Sequence, residues 1–140
     1  MILNEKVIVI PCSGIGKALG TVGRKATYQI IESIRPKDTD TLCLALLTVG
    51  DQEARAKVQR TPCISIDGCP SKCASKNIAA SEGQLVGEFV VSEILKENRN
   101  LKPQGIIHLN AEGLKLVEKV VEKVVEKVDS IKESSKGNEI

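Results

Sequence analysis

The chemistry open to this chain lies in its thiols. Three of its five cysteines follow runs of β-branched or aliphatic residues: Val7-Ile-Val-Ile-Pro-Cys12, Thr41-Leu-Cys43 and Ile64-Ser-Ile-Asp-Gly-Cys69. Cys73 comes four residues after Cys69. In an open parallel sheet, residues just past the carboxyl ends of strands share one edge, where ligands bind. Cys12, Cys43, Cys69 and Cys73 brought to that edge have the number and softness for a tetrahedral metal site.

Metal is bound by thiolate, and a free thiol titrates near about 8.5, so such a site must favour the anion. Pro70 suits the first position of a helix, which would make Cys69 its N-cap, facing free N–H donors. Cys73 would then lie one turn further along the same face. Gly68 lets the chain turn sharply and offer its N–H to sulfur, and Asp67 can hold the turn by accepting from backbone amides. Gly14 and Gly16 would serve Cys12 in the same way. Lys17, Lys72 and Lys76 are near enough in sequence to offset the charge of four thiolates.

A C-x-x-x-C pair is by itself a weak signal, since structural zinc more often sits on paired C-x-x-C knuckles. Without the strand-end placement, Cys12 and Cys43 would read as small buried hydrophobes. Cys63 stands apart at the start of a strand whose far end leads to Cys69. Four extended residues span roughly 13 Å, too far for both to bind one ion. His108, in the aliphatic segment Ile106-Ile-His-Leu109, reads as structural. Gly14-Ile-Gly-Lys17 is not a phosphate loop: the first glycine is too close, and Ala18 stands where a hydroxyl is needed. The dinucleotide pattern also fails, because position 19 is Leu.

The elements that must carry these cysteines alternate. Lys6 to Ile10 reads as a buried strand closed by Pro11, and a helix with the stripe Val22, Ala26, Ile30 and Ile34 follows and ends before Pro36. A second strand is expected over Thr39–Leu42. Helix follows from near Leu44 to Gln59, with a break at Gly50-Asp51. Cys63–Ile66 and Glu88–Val91 read as the third and fourth strands, and Gly105–Leu109 as a fifth, at the edge. From Asn110, a good N-cap, a long helix carries Val-Glu-Lys-Val three times over. Its seam is Leu114, Val117, Val121, Val124, Val128 and Ile131, suited to lying on the sheet or, less readily, to a dimeric coiled coil. The expected fold is therefore α/β: one domain over 1–133, a mostly parallel open sheet of four to five strands in a Rossmann-like three-layer arrangement, and a polar tail over 134–140.

Composition narrows the partners. The 140 residues suffice for a core without help from metal. Phe89 and Tyr28 are the only aromatic residues, which argues against nucleic-acid binding by base stacking. A net charge of +2 gives no pull toward a polyanion. No apolar run is long enough for a bilayer span, and Met1–Lys6 does not read as a leader. A cytoplasmic setting with reduced thiols is the expectation. Monomer is favoured over a dimer through the valine seam, and no protein partner is indicated.

Pro11-Cys-Ser-Gly-Ile-Gly-Lys17, Gly20-Thr-Val-Gly-Arg24, Thr41-Leu-Cys-Leu-Ala45, Ile66-Asp-Gly-Cys-Pro70 and Cys73-Ala74 together resemble the DGC-domain family of zinc-binding proteins, named for the tripeptide found here as Asp67-Gly-Cys69. The likeness covers about the first two-thirds of the chain. It implies chelation by Cys12, Cys43, Cys69 and Cys73, and implies no reaction. Three functions are carried forward: a zinc protein without catalysis, a redox protein using the same cysteines for an iron–sulfur cluster or dithiol exchange, and a metal carrier.

Overall fold

The computed structural model describes residues 6–137. The leader question at residues 1–5 and the end of the expected polar tail at residues 138–140 lie outside it. Four parallel strands form one sheet in the order β2-β1-β3-β4, with β1 Val7–Pro11, β2 Thr39–Asp40, β3 Pro62–Asp67 and β4 Gln84–Val90. Because β2 and β3 lie on opposite sides of β1, the order reverses there. The crevice beyond the carboxyl ends of β1 and β3 is the switch point at which open α/β sheets bind ligands.

Helices cover both faces, giving three layers. Val7 and Val9 of β1 and Ile64 and Ile66 of β3 point to one face, where they meet α1 (Ala18–Gln29), α5 (Val91–Glu97) and α6 (Ala111–Gly137). Ile8, Ile10 and Cys63 point to the other, against α2 (Leu44–Thr48), α3 (Gln52–Arg60) and α4 (Cys73–Ala80). The period-two alternation of a pleated strand produces this division. In β4 a bulge opposite Cys63 and Ile64 resets the alternation, so Leu85 packs on the second face and Phe89 on the first.

The valine seam of α6 is buried within the chain. Val117, Val124 and Val128 are fully covered, and Leu116 and Val120 join them, whereas Leu114 stands 46 % exposed. The Asn110 side chain accepts from the Gly113 N–H at 2.8 Å, the N-cap bond expected of it. The helix runs through Gly137, past the boundary expected at 133.

Three expectations are corrected. The helix after β3 starts at Cys73, with Lys72 as N-cap in left-handed backbone at φ 52°, so Cys69 lies in the preceding turn and the two cysteines do not share a helix face. The reason is Asp67, whose carboxylate accepts from the N–H groups of Ala74 and Ser75 at 2.7 and 3.2 Å and caps the helix from the end of β3. The fifth strand is absent. Residues 105–109 form a loop in which Gly105 has φ +107°, Asn110 ties back to Lys102 and Gln104, and Thr21 donates to the Ile106 carbonyl. Val91 opens α5 instead of ending β4, a helix the apolar run Phe89-Val-Val91 concealed.

Candidate functional site

Cys12 is the residue about which the site is organised. It follows β1 directly, and its N–H donates to the Ile66 carbonyl at 2.9 Å, extending the β1–β3 pairing by one step. Its side chain is only 9 % exposed, and Sγ accepts the Gly68 N–H at 3.2 Å. Burial pushes the Cys12 thiol up, the negative groups Asp67, Cys73 and Cys69 push the same way, and the Gly68 N–H opposes them.

Cys69 is half-buried in the turn after β3. The Ser71 hydroxyl and N–H draw its thiol below the ordinary value, helped by the Lys17 ammonium and opposed by burial and by Asp67. Cys12 and Cys69 share the wall of a cavity of about 380 Å³ with Gly14, Lys17, Gly68 and Pro103. Close packing of glycines forms one side of it: a Cβ on Gly20 would lie 2.6 Å from Gly14 Cα. Gly14 itself has φ +45°, a conformation that glycine adopts without strain.

Cys43 and Cys73 are exposed. Cys43 occupies the N-cap position of α2, just beyond the two-residue β2, without capping it through its side chain. It borders a second cavity, of about 270 Å³, together with Cys12, Arg24 and Tyr28. Arg24 donates to the Ser13 carbonyl and, at 3.1 Å, to the Thr21 hydroxyl, so α1 holds the loop that follows Cys12. Cys73 opens α4, and its charge reaches Cys12.

All four cysteines therefore stand at the carboxyl edge of the sheet, and all are free. They are not gathered. Among the described residues, no group of three or more His, Cys, Asp or Glu side chains is set to hold an ion. The donors fit a soft cation by their chemistry and their shared edge, with Cys12 between Cys69 on one side and Cys43 on the other. The described residues form no preformed cage.

The remaining residues have other work. Asp67, 1 % exposed, also accepts from the Ser75 hydroxyl at 3.1 Å, so its oxygens are committed to α4. Cys63 is fully buried at the opposite end of β3, its Sγ donating to the Thr61 carbonyl at 3.2 Å. His108 is exposed in the 105–109 loop. Ser71, Pro103 and Leu95, which also lines the cavity shared by Cys12 and Cys69, have no part in the sequence reading. Ser71 could have been found beside Cys69, but nothing local points from Leu95 or Pro103 to a cavity made by residues 12–20.

The DGC domain model matches residues 8–128, and the chain belongs to that family. No curated protein and no solved structure matches it.

Proposed function

We propose that this member of the DGC domain family is a metal-binding protein that takes one zinc ion through the thiolates of Cys12, Cys43, Cys69 and Cys73 at the carboxyl edge of its sheet. What supports this reading is that four free thiols, though not gathered, follow strand ends at one edge of the sheet, with Cys12 sharing one cavity with Cys69 and another with Cys43. Two neighbouring features favour it. The Gly68 N–H already serves the Cys12 sulfur at 3.2 Å, as a donor to a bound thiolate does. Lys17 and Ser71 stabilise negative charge on Cys69.

Zinc held by four thiolates has no coordination position left for water, so the proposed role is binding and not hydrolysis. A reduced, cytoplasmic setting would keep the thiols available. No helix among the described residues is long and apolar enough to cross a membrane. The valine seam is occupied by the chain's own core, which favours a monomer.

A second reading is redox: an iron–sulfur cluster on the same cysteines, or dithiol exchange. The lowered, half-exposed Cys69 thiol is the feature that favours it. Visible absorption and elemental analysis of protein purified without oxygen separate the two. A colourless sample with one zinc per chain supports the first reading. A brown sample with iron and acid-labile sulfide replaces it with the second.

A further inference from the structure

We infer that the cavity beside Cys12 and Cys69 takes a short-chain aliphatic carboxylate, its charged end held by Lys17 and its chain laid against Leu19, Leu95 and Pro103.

This cavity, of about 380 Å³, is walled by the residues that directly follow β1 and β3. It therefore occupies the switch-point crevice in which open α/β sheets hold their ligands. Small-molecule sites span roughly 300–1,000 Å³, so a compact organic acid is the right size for it. Its glycine side is rigid, because the backbones pack directly on one another. A Cβ added at Gly68 would stand 3.2 Å from the Gly20 nitrogen, and one added at Gly20 would overlap Gly14. Leu19 and Leu95 are only partly buried against the core of the first sheet face, and each turns apolar surface to the cavity. Pro103 reaches it from the segment between α5 and α6. A chain of a few methylenes would restore the contacts that such an open apolar wall forgoes.

The charge of the lining selects the sign of the ligand. Lys17 is the one cation there, and no Asp or Glu lines the cavity. Among the described residues Lys17 pairs with no carboxylate. Asp67, the residue before Gly68, has both oxygens committed to the start of α4. The Lys17 ammonium is close enough to Cys69 to act on its thiol, which sets the positive charge on the Cys69 side of the cavity. One unmatched cation beside an apolar hollow complements an anion with an apolar body, and it opposes an amine of the same shape.

The test is a titration of the isotope-labelled full chain, metal-free and reduced, with sodium hexanoate, read as amide shifts by NMR. Saturable shifts should centre on Gly14, Lys17, Leu19, Gly20 and Gly68, with a Kd on the order of 1 mM or below. Each methylene buried in the cavity should tighten binding roughly fourfold, so acetate should bind far more weakly than hexanoate. Hexylamine, with the same chain and the opposite charge, should give no saturable shift at these amides. Lys17 is exposed, so Lys17→Gln should fold normally while weakening hexanoate on the order of tenfold, and Lys17→Arg should restore it. Absence of saturable hexanoate shifts at these amides overturns the assignment. So does acetate or hexylamine binding as tightly as hexanoate, or an unchanged Kd in Lys17→Gln. Because no metal is present, a failure of zinc uptake leaves these outcomes untouched, and their failure leaves the zinc reading standing.

Discussion

Cys63 and Cys69 lie on one strand and its following turn, yet their surroundings set them opposite tasks. Burial alone pushes the Cys63 thiol up to about 12, while Ser71 and Lys17 hold Cys69 below the usual value. In metal-free protein, alkylation of Cys69 should therefore reach half its limiting rate at a pH under that of a free thiol, about 8.5. Cys63 should stay unlabelled up to the pH at which the chain unfolds. Mass spectrometry of peptides after timed labelling checks both, and label on Cys63 in folded protein at neutral pH would contradict the assignment. Asp67 gives a second prediction. Its carboxylate satisfies two amides at the start of α4 and the Ser75 hydroxyl. Asp67→Ala should cost about 1–3 kcal/mol in urea unfolding, because buried donors are left without a partner. Asp67→Asn, which keeps one acceptor oxygen, should cost less. Equal stability of Asp67→Ala and wild type would show that the cap is dispensable.

Among the elements, the loop from Cys12 to Gly20 depends most on shape. A Cβ at position 20 would overlap Gly14, so Gly20→Ala should force the loop off α1 at a cost of about 1–3 kcal/mol. Thermal melting reads the loss, and zinc uptake should fall with it, since Cys12 is carried by the same loop. The Arg35–Asp129 ion pair, at 2.8 Å but with both side chains partly exposed, is the contrasting case. Arg35→Ala should leave the melting temperature nearly unchanged in the same experiment, because an exposed pair is screened by solvent. The parallel strands and most helices were legible because their apolar periods are unambiguous: Val7–Ile10 is β-branched throughout, and Gly50-Asp51 falls between α2 and α3 as expected. The start of α4 was hidden because its cap comes from Asp67, seven positions upstream of Ala74. Pro70, a good first helical residue, pointed to the wrong place. Residues 105–109 mimic a strand in composition, but Gly105 and the ties from Asn110 turn them into a loop.

On the scale of the whole molecule, a four-stranded sheet places thiols from both halves of the chain at one edge, and covers its two faces with separate cores. Cys12, Cys43 and Cys69 could be placed at strand ends because each follows an apolar run, and Cys73 only by its nearness to Cys69. It did not show their depths, which depend on long-range packing: Cys12 is covered by the turn after β3, while Cys43 leaves from the short outer strand. The near-neutral charge of +2 and the interspersed lysines and glutamates leave the thiol edge as the chemically distinctive surface. Zinc K-edge X-ray absorption on the loaded full chain tests this account most directly. It should show a shell of four sulfur neighbours at about 2.3 Å. A shell led by nitrogen or oxygen, or fewer than three sulfurs per ion, would mean that these cysteines do not converge on the metal.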